Sequence, residues 1–325
     1  MFKKILILIA ALAVIQGCSS RPFIYEKKGL TYDQIDYGFD IKTFDGGDGI
    51  GKIAYIDEGK GEKTILMIHG RISYSKIFQS QINALKEKYR VIAIDLPGYG
   101  KSEFNDKLPY SGLLHTQAIL AFAKSLKLDN IILAGHSYGG ALAVVVAGLN
   151  QLDVKKVVLA APGGLQDYSD EDFKIMSENL SFFTTENYDP DHFINAWDTY
   201  AVSNHTVQTD NTLREYLGLI FSKNIENTYK TRNKIEISGI QMKSKVISFF
   251  KAIQAPILIV AGNKDQTVPS LYPTTGQKPD AKDFFESVAK LNPNASLILL
   301  QNCGHMIPVE QPEAFTKAME DFIAK

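Results

Sequence analysis

The 325-residue chain has only two cysteines, Cys18 and Cys303, no long apolar run, no internal repeat and almost no net charge. Each absence removes a class of protein. Two cysteines allow at most one disulfide, so the core must hold itself together by packing rather than by a covalent framework. The formal net charge is −1 and the 35 basic residues are spread along the chain, which leaves no patch to attract nucleic-acid phosphates. Nucleic acid is therefore not expected as a partner. No segment recurs at a fixed period, which sets aside solenoids and propellers. No Pro/Gly-rich or low-complexity tract is long enough to suggest disorder. The apolar run Ile5 to Ile15 makes about 17 Å of helix against the ~30 Å hydrocarbon core of a bilayer, too little to span it.

That short run has the form of an address. Lys3 and Lys4 precede it, and Gln16-Gly17-Cys18-Ser19-Ser20 follows, the order of an export signal. The Ile15-Gln16-Gly17-Cys18 segment resembles a bacterial lipobox, although Gln16 is an unusual residue there. The resemblance implies cleavage before Cys18, lipidation of that cysteine, and a protein held on a bacterial membrane at its periplasmic or surface face. Several acyl chains on one cysteine would anchor stably, whereas a single chain is marginal. Cleavage by ordinary signal peptidase with Cys18 incidental, and an uncleaved anchor, are the alternatives. If Cys18 is acylated, Cys303 has no partner left for a disulfide.

With 45% hydrophobic and 22% charged residues, the remainder reads as one large globular α/β domain carrying an insertion. Eight strands are predicted: Phe39–Thr43, Lys52–Asp57, Thr64–His69, Val91–Asp95, Ile131–Gly135, Lys156–Ala160, Pro256–Ala261 and Ser296–Leu300. The first two flank Asp45-Gly46-Gly47-Asp48-Gly49, a Gly-rich connection suited to an antiparallel hairpin. The others are Val/Ile/Leu runs without alternation, the pattern of parallel strands covered on both faces. Helices are predicted over Tyr74–Lys88, Ser111–Leu126, Gly139–Leu149, Ala281–Leu291 and Pro312–Ala324. The alternation breaks after Ala161 and resumes near Ala255, and the helical patterns between them are too long for a loop. The expected organisation is a leader over 1–18, a tether over 19–36 docking through Phe23 and Tyr25, a core over 37–162 and 252–325, and a helical cap over 163–251.

Asn130 to Gly140 (NIILAGHSYGG) carries the chemistry: an apolar strand runs into Gly135-His136-Ser137-Tyr138-Gly139 and on into a helix. A bare G-x-S-x-G is a weak signal, and its strand-turn-helix context makes it a strong one. The turn must be sharp, and side chains at 135 and 139 would collide with their surroundings. A serine hydroxyl needs a base titrating near neutrality, hence a histidine. His305, in Gly304-His305-Met306 after the last strand, falls at the sheet's C-terminal edge, where ligands gather in open α/β sheets. His136 and His69 read as structural, and His115, His192 and His205 carry no motif. The histidine needs a carboxylate, and Asp265 in Asn263-Lys264-Asp265-Gln266 follows the penultimate strand. Asp167 or Asp170, after the preceding strand, is the alternative acid. Backbone N–H groups of Tyr138 and Arg71 would receive the substrate oxyanion.

His69-Gly70, Asp95-Leu96-Pro97-Gly98-Tyr99-Gly100-Lys101-Ser102, the serine turn, the Asp265 loop and Gly304-His305, in that order from residue 37 to 324, resemble the capped α/β-hydrolase family. The resemblance implies an eight-stranded, mostly parallel sheet flanked by helices, a helical cap, and hydrolysis of an ester-like small-molecule bond through Ser137, His305 and Asp265. It implies no metal or organic cofactor. Haloalkane dehalogenases and epoxide hydrolases of this fold attack with aspartate, where this chain has Ser137. C–C bond hydrolysis, amide hydrolysis and perhydrolysis use the same triad and stay open, as does an inactive binding protein. Arg71 would bind an acidic substrate group or point into solvent, the latter being favoured. Phe182, Phe183, Tyr188, Phe193, Trp197 and Tyr200 would bury the cap against the core or line a pocket. No function is read for residues 270–283.

Overall fold

The computed structural model describes residues 29–178, 190–243, 245–269 and 279–325. The leader with Cys18, together with Phe23, Tyr25, Phe182, Phe183, Tyr188 and residues 270–278, lies outside the described residues.

The β-branched runs form eight strands: β1 (Lys42–Asp45), β2 (Lys52–Glu58), β3 (Thr64–Ile68), β4 (Arg90–Ile94), β5 (Ile131–His136), β6 (Val154–Ala160), β7 (Ile257–Gly262) and β8 (Ala295–Leu300). They make one sheet in the order β1-β2-β4-β3-β5-β6-β7-β8. Only the β1–β2 and β2–β4 pairings are antiparallel, because β2 alone is reversed. Every residue of β3, β5 and β7 is buried, which is why these segments show no polar alternation. β1 begins later than the predicted Phe39. Its register is set by the turn, where Gly46 N–H meets the Gly51 carbonyl at 3.0 Å, and by Phe44, which meets Phe122 edge-on.

The α-helices of the described residues are α1 (Gln79–Leu85), α2 (Gly112–Ser125), α3 (Tyr138–Gly148), α4 (Asp170–Glu178), α5 (Pro190–Ala196), α6 (Val207–Ile220), α7 (Lys223–Met242), α8 (Val246–Ala252), α9 (Ala281–Ala289), α10 (Ile307–Glu310) and α11 (Pro312–Ala324), and a π turn over Trp197–Ala201 follows α5. Caps explain several starts: Ser111 Oγ accepts from Leu114 N–H, and Asp280 Oδ1 from Asp283 N–H. The helix predicted from Tyr74 opens as a 3-10 turn, Ser75–Phe78. That turn delivers the Ser75 N–H to Asp95 Oδ1 at 2.7 Å. Asp95 is fully buried, and burial raises its carboxyl above the ordinary range. Lys101 N–H and the Tyr37 hydroxyl also donate to it, so this turn is structural.

α4 to α8 lie between β6 and β7 and form a helical insertion fastened to the sheet domain by polar contacts. The Tyr74 hydroxyl donates to Glu215 Oε2 at 2.7 Å and Lys76 pairs with the same carboxylate. The Tyr216 hydroxyl donates to Ser73 Oγ at 2.9 Å. Residues 29–37 are part of this junction. Leu30 N–H donates to the Gly218 carbonyl at 2.9 Å, Tyr32 shares a hydrogen bond with Thr228, and Tyr37 stacks on Tyr74. Tyr32 and Ile35 are buried, so the described end of the stretch expected as a tether, 29–36, docks through these residues, beside buried Tyr37.

Candidate active site

β5 ends at His136 and α3 starts at Tyr138, leaving Ser137 alone at the corner with φ 54° and ψ −118°. A non-glycine residue there stores roughly 1–3 kcal/mol of backbone strain. The turn is tight because its neighbours are bare: a Cβ on Gly135 would lie 2.3 Å from the Gly139 carbonyl oxygen, and one on Gly139 2.1 Å from that of Ile68. Ser137 N–H bonds the Ala160 carbonyl at 2.9 Å, and its own carbonyl accepts from Gly163 at 3.0 Å.

His305 follows β8 and Asp265 follows β7, so both arrive at the same sheet edge as Ser137. His305 Nδ1 and Asp265 Oδ2 are 2.8 Å apart, with both side chains nearly solvent-free. A carboxylate can only accept, so the proton of this bond sits on Nδ1, the tautomer whose neutral ring offers a lone pair at Nε2. The other oxygen, Asp265 Oδ1, accepts from Thr267 N–H at 2.8 Å and Val268 N–H at 2.9 Å, which fixes the carboxylate plane. Asp170 pairs instead with Lys243, at the surface.

The first bond within α3 runs from Ala141 N–H to the Ser137 carbonyl, so the N–H of Tyr138 belongs to the open end of the helix. Gly70 lies against the corner from the β3 side, where an added Cβ would come within 3.0 Å of Ser137 Cβ. Arg71 follows it. Its side chain does not reach into solvent as favoured from sequence: it pairs with Glu236 on α7, whose carboxylate side chain is 11% exposed. The pairing lies across the junction between sheet domain and insertion, a proximity that sequence spacing does not reveal.

Two further histidines, His136, read as structural, and His115, which carries no motif, sit behind these groups. His136 Nε2 donates to the His305 carbonyl at 2.9 Å, and the two rings are 5.0 Å apart. His115 Nε2 donates to the Pro97 carbonyl at 3.0 Å, so its Nδ1 accepts from the Tyr138 hydroxyl at 3.0 Å. Burial pushes His69 down to about 4 and both His115 and His136 down to about 3, so all three are neutral at pH 7. His69 is structural: its Nε2 accepts from the Leu96 N–H at 3.0 Å.

The insertion reaches the site through its backbone. The Ala201 carbonyl accepts from His305 N–H at 2.8 Å and Met306 N–H at 3.1 Å, and the Tyr200 carbonyl accepts from Gln266 N–H at 3.3 Å. Trp197 is buried against Tyr216, edge to face at 5.7 Å, while Tyr200 is 43% exposed. Burial is thus the role observed for Trp197. A groove of about 510 Å³ between the Tyr74–Gln79 region and α6 is lined by Lys76, Gln208, Arg214 and Glu215 and contains neither Ser137 nor His305. No group of three or more His, Cys, Asp or Glu residues among those described could hold a metal ion.

Residues 63–312 match the alpha/beta hydrolase fold family. The chain belongs to the α/β-hydrolase family. Among curated α/β-hydrolase-like relatives, it is 23% identical over 287 residues to the uncharacterized hydrolase YugF of Bacillus subtilis, covering 82% of this chain and 92% of that protein. It is 25% identical over 276 residues to the monoacylglycerol lipase ABHD6 of Homo sapiens, covering 80% of this chain and 75% of the lipase. Among solved structures, a probable hydrolytic enzyme from Pseudomonas aeruginosa PAO1 superposes with a TM-score of 0.76 at 22% identity, covering 92% of this chain and 97% of that one. These likenesses support a hydrolase, and the structural one speaks to the fold alone. Within this family's fold, the candidate residues Ser137, Asp265 and His305 lie on the segments that leave β5, β7 and β8 at one sheet edge, a placement open sheets favour for ligands.

Proposed function

We propose that this chain is a serine hydrolase that cleaves an ester-like bond in a small molecule by way of an acyl-enzyme. The observation that supports this most directly is the His305–Asp265 hydrogen bond at 2.8 Å beside a serine held on a strained corner. In this reading, His305 Nε2 takes the Ser137 proton as Oγ attacks the carbonyl, then returns it to the leaving alcohol. Water repeats the sequence in reverse and frees the acid. Asp265 keeps the proton on Nδ1 and stabilises the imidazolium. The backbone N–H groups of Tyr138 and Arg71 receive the charge that develops on the carbonyl oxygen.

The reading extends to the rest of the chain. The helices between β6 and β7 act as a lid over the site, the residues before Cys18 direct export, and lipidated Cys18 holds the enzyme on a membrane. A membrane-proximal acyl ester is a natural substrate for such an arrangement, and the resemblance to a monoacylglycerol lipase supports that class.

Fluorophosphonate labelling of the purified full chain, set beside Ser137→Ala, tests the proposal. Labelling that vanishes in the variant, with turnover of p-nitrophenyl esters, is the expected result. A folded chain that takes no label would favour the binding-protein alternative.

A further inference from the structure

Glu310 is the C-terminal residue of the short helix α10, five positions beyond His305, and its function is not read from any motif above. It is 1% exposed. One carboxylate oxygen, Oε1, accepts three backbone hydrogen bonds: from Gly304 at 2.9 Å, from Ser203 at 3.0 Å and from Asn204 at 2.7 Å. The other, Oε2, has no hydrogen-bond partner among the described residues. Burial raises the carboxyl's pKa while those three N–H groups oppose the shift. A buried charge is costly unless its hydrogen bonds are made, and the three made here, all to Oε1, come from two segments about a hundred residues apart in sequence.

Those segments are the ones that matter for geometry. Residues 200–204 run along the sheet edge, and the Tyr200 carbonyl accepts from Gln266 N–H at 3.3 Å and the Thr267 hydroxyl at 3.0 Å. The next carbonyl, Ala201, accepts from His305 and Met306 N–H. One stretch of insertion backbone therefore holds the loop bearing Asp265 on one side and the loop bearing His305 on the other. Glu310 ties the end of that stretch to Gly304, the residue before His305.

We propose that Glu310 is a positioning residue: it pins residues 203–204 of the insertion to the His305 loop and so fixes the separation of His305 from Asp265. This rests on the serine-hydrolase reading of the triad. Glu310 is not a second acid for the base, since His305 Nδ1 is engaged by Asp265. Nor does it meet substrate, because it is closed off from solvent and its accepting oxygen is occupied. A misplacement of about 1 Å in such a constellation costs on the order of a hundredfold in rate.

The test compares Glu310→Ala, Glu310→Gln and Glu310→Asp in the full chain, purified in detergent and confirmed folded by circular dichroism at the assay temperature. Glu310→Ala should lower kcat for p-nitrophenyl acetate by about tenfold or more with KM within about twofold, because the loss falls on the chemical step. The rate of fluorophosphonate labelling should fall in parallel. The far-downfield proton resonance of His305 Nδ1–H should broaden or disappear. Glu310→Gln keeps an accepting oxygen at Oε1 and should restore both kcat and the resonance. Glu310→Asp keeps the charge but withdraws the oxygen by one methylene, and should behave like the alanine variant.

A folded Glu310→Ala with unchanged kcat and an intact resonance would overturn the proposal, as would a glutamine variant as impaired as the alanine one. If the alanine variant does not fold, the glutamine and aspartate pair decides alone: a fully active aspartate variant overturns it. If the wild type neither labels nor turns over, the hydrolase reading fails, while the resonance comparison still judges Glu310.

Discussion

His136 donates its Nε2 proton to the backbone carbonyl of His305 across 2.9 Å, so the residue just before Ser137 holds the backbone of the proposed base. The end of β5 and a loop 169 positions further on are thereby locked at a distance set by one imidazole. Replacing His136 with Phe keeps the ring and removes the donor, leaving the His305 carbonyl short of a partner. We expect a loss of about 1–3 kcal/mol in unfolding free energy and a fall in kcat larger than any change in KM. Urea unfolding and p-nitrophenyl ester kinetics measure the two; an unaltered kcat would show that other contacts suffice to place His305.

Asp265→Asn should be far more damaging to turnover than to folding. Its carbonyl oxygen would keep the Thr267 and Val268 N–H bonds, which turns the amide nitrogen toward His305. A donor there forces the imidazole proton from Nδ1 to Nε2, where it blocks proton uptake from Ser137. The expected drop in kcat is roughly 10⁴-fold, with a melting temperature close to wild type. Full activity in this variant would transfer the acid's role to another carboxylate.

Stability should fall as acid is added, beginning near neutrality. Burial depresses His69 to about 4 and His115 and His136 to about 3, below the ordinary value of ~6.5 for an exposed histidine. Below pH ~6.5 the unfolded chain binds protons that the folded chain refuses, so their stabilising effect is full above that pH and is lost progressively toward pH 3–4. Each contributes up to about 1.4 kcal/mol per pH unit in that window. Urea unfolding from pH 7.5 to 4.5 should show the slope, and His115→Phe should flatten it by one proton's worth. An unchanged slope would mean that His115 is already protonated in the folded state.

Cys18→Ser should release the chain from the membrane fraction of an expressing cell into the soluble fraction. Mass spectrometry of the wild type should find acyl chains on an N-terminal Cys18. Persistent membrane association of the serine variant would point instead to an uncleaved anchor formed by residues 1–18.

The fold was legible because its determinants are local. A run such as Ile131 to Gly135 has no polar position to leave outside, so it can only be a strand buried on both faces. Ser137 was equally conspicuous, since few turns need glycine on both sides of a serine. What escaped the sequence depends on atoms that contribute no pattern to it. Tyr200 and Ala201 act through their carbonyl oxygens, which every residue possesses. Glu310 is one glutamate among many, and its three donors come from residues 203, 204 and 304. His115 lies near the start of α2 and meets Tyr138 only after two helices have packed. Arg71 and its partner Glu236 are 165 positions apart, and only the placement of the insertion brings them together.

Residues 29–37 bond to Gly218 and Thr228 of the insertion as well as to the sheet domain. A tension applied at residue 29 would therefore meet the Leu30–Gly218 bond first and Tyr32–Thr228 next, both on the insertion, before it reached a strand of the sheet.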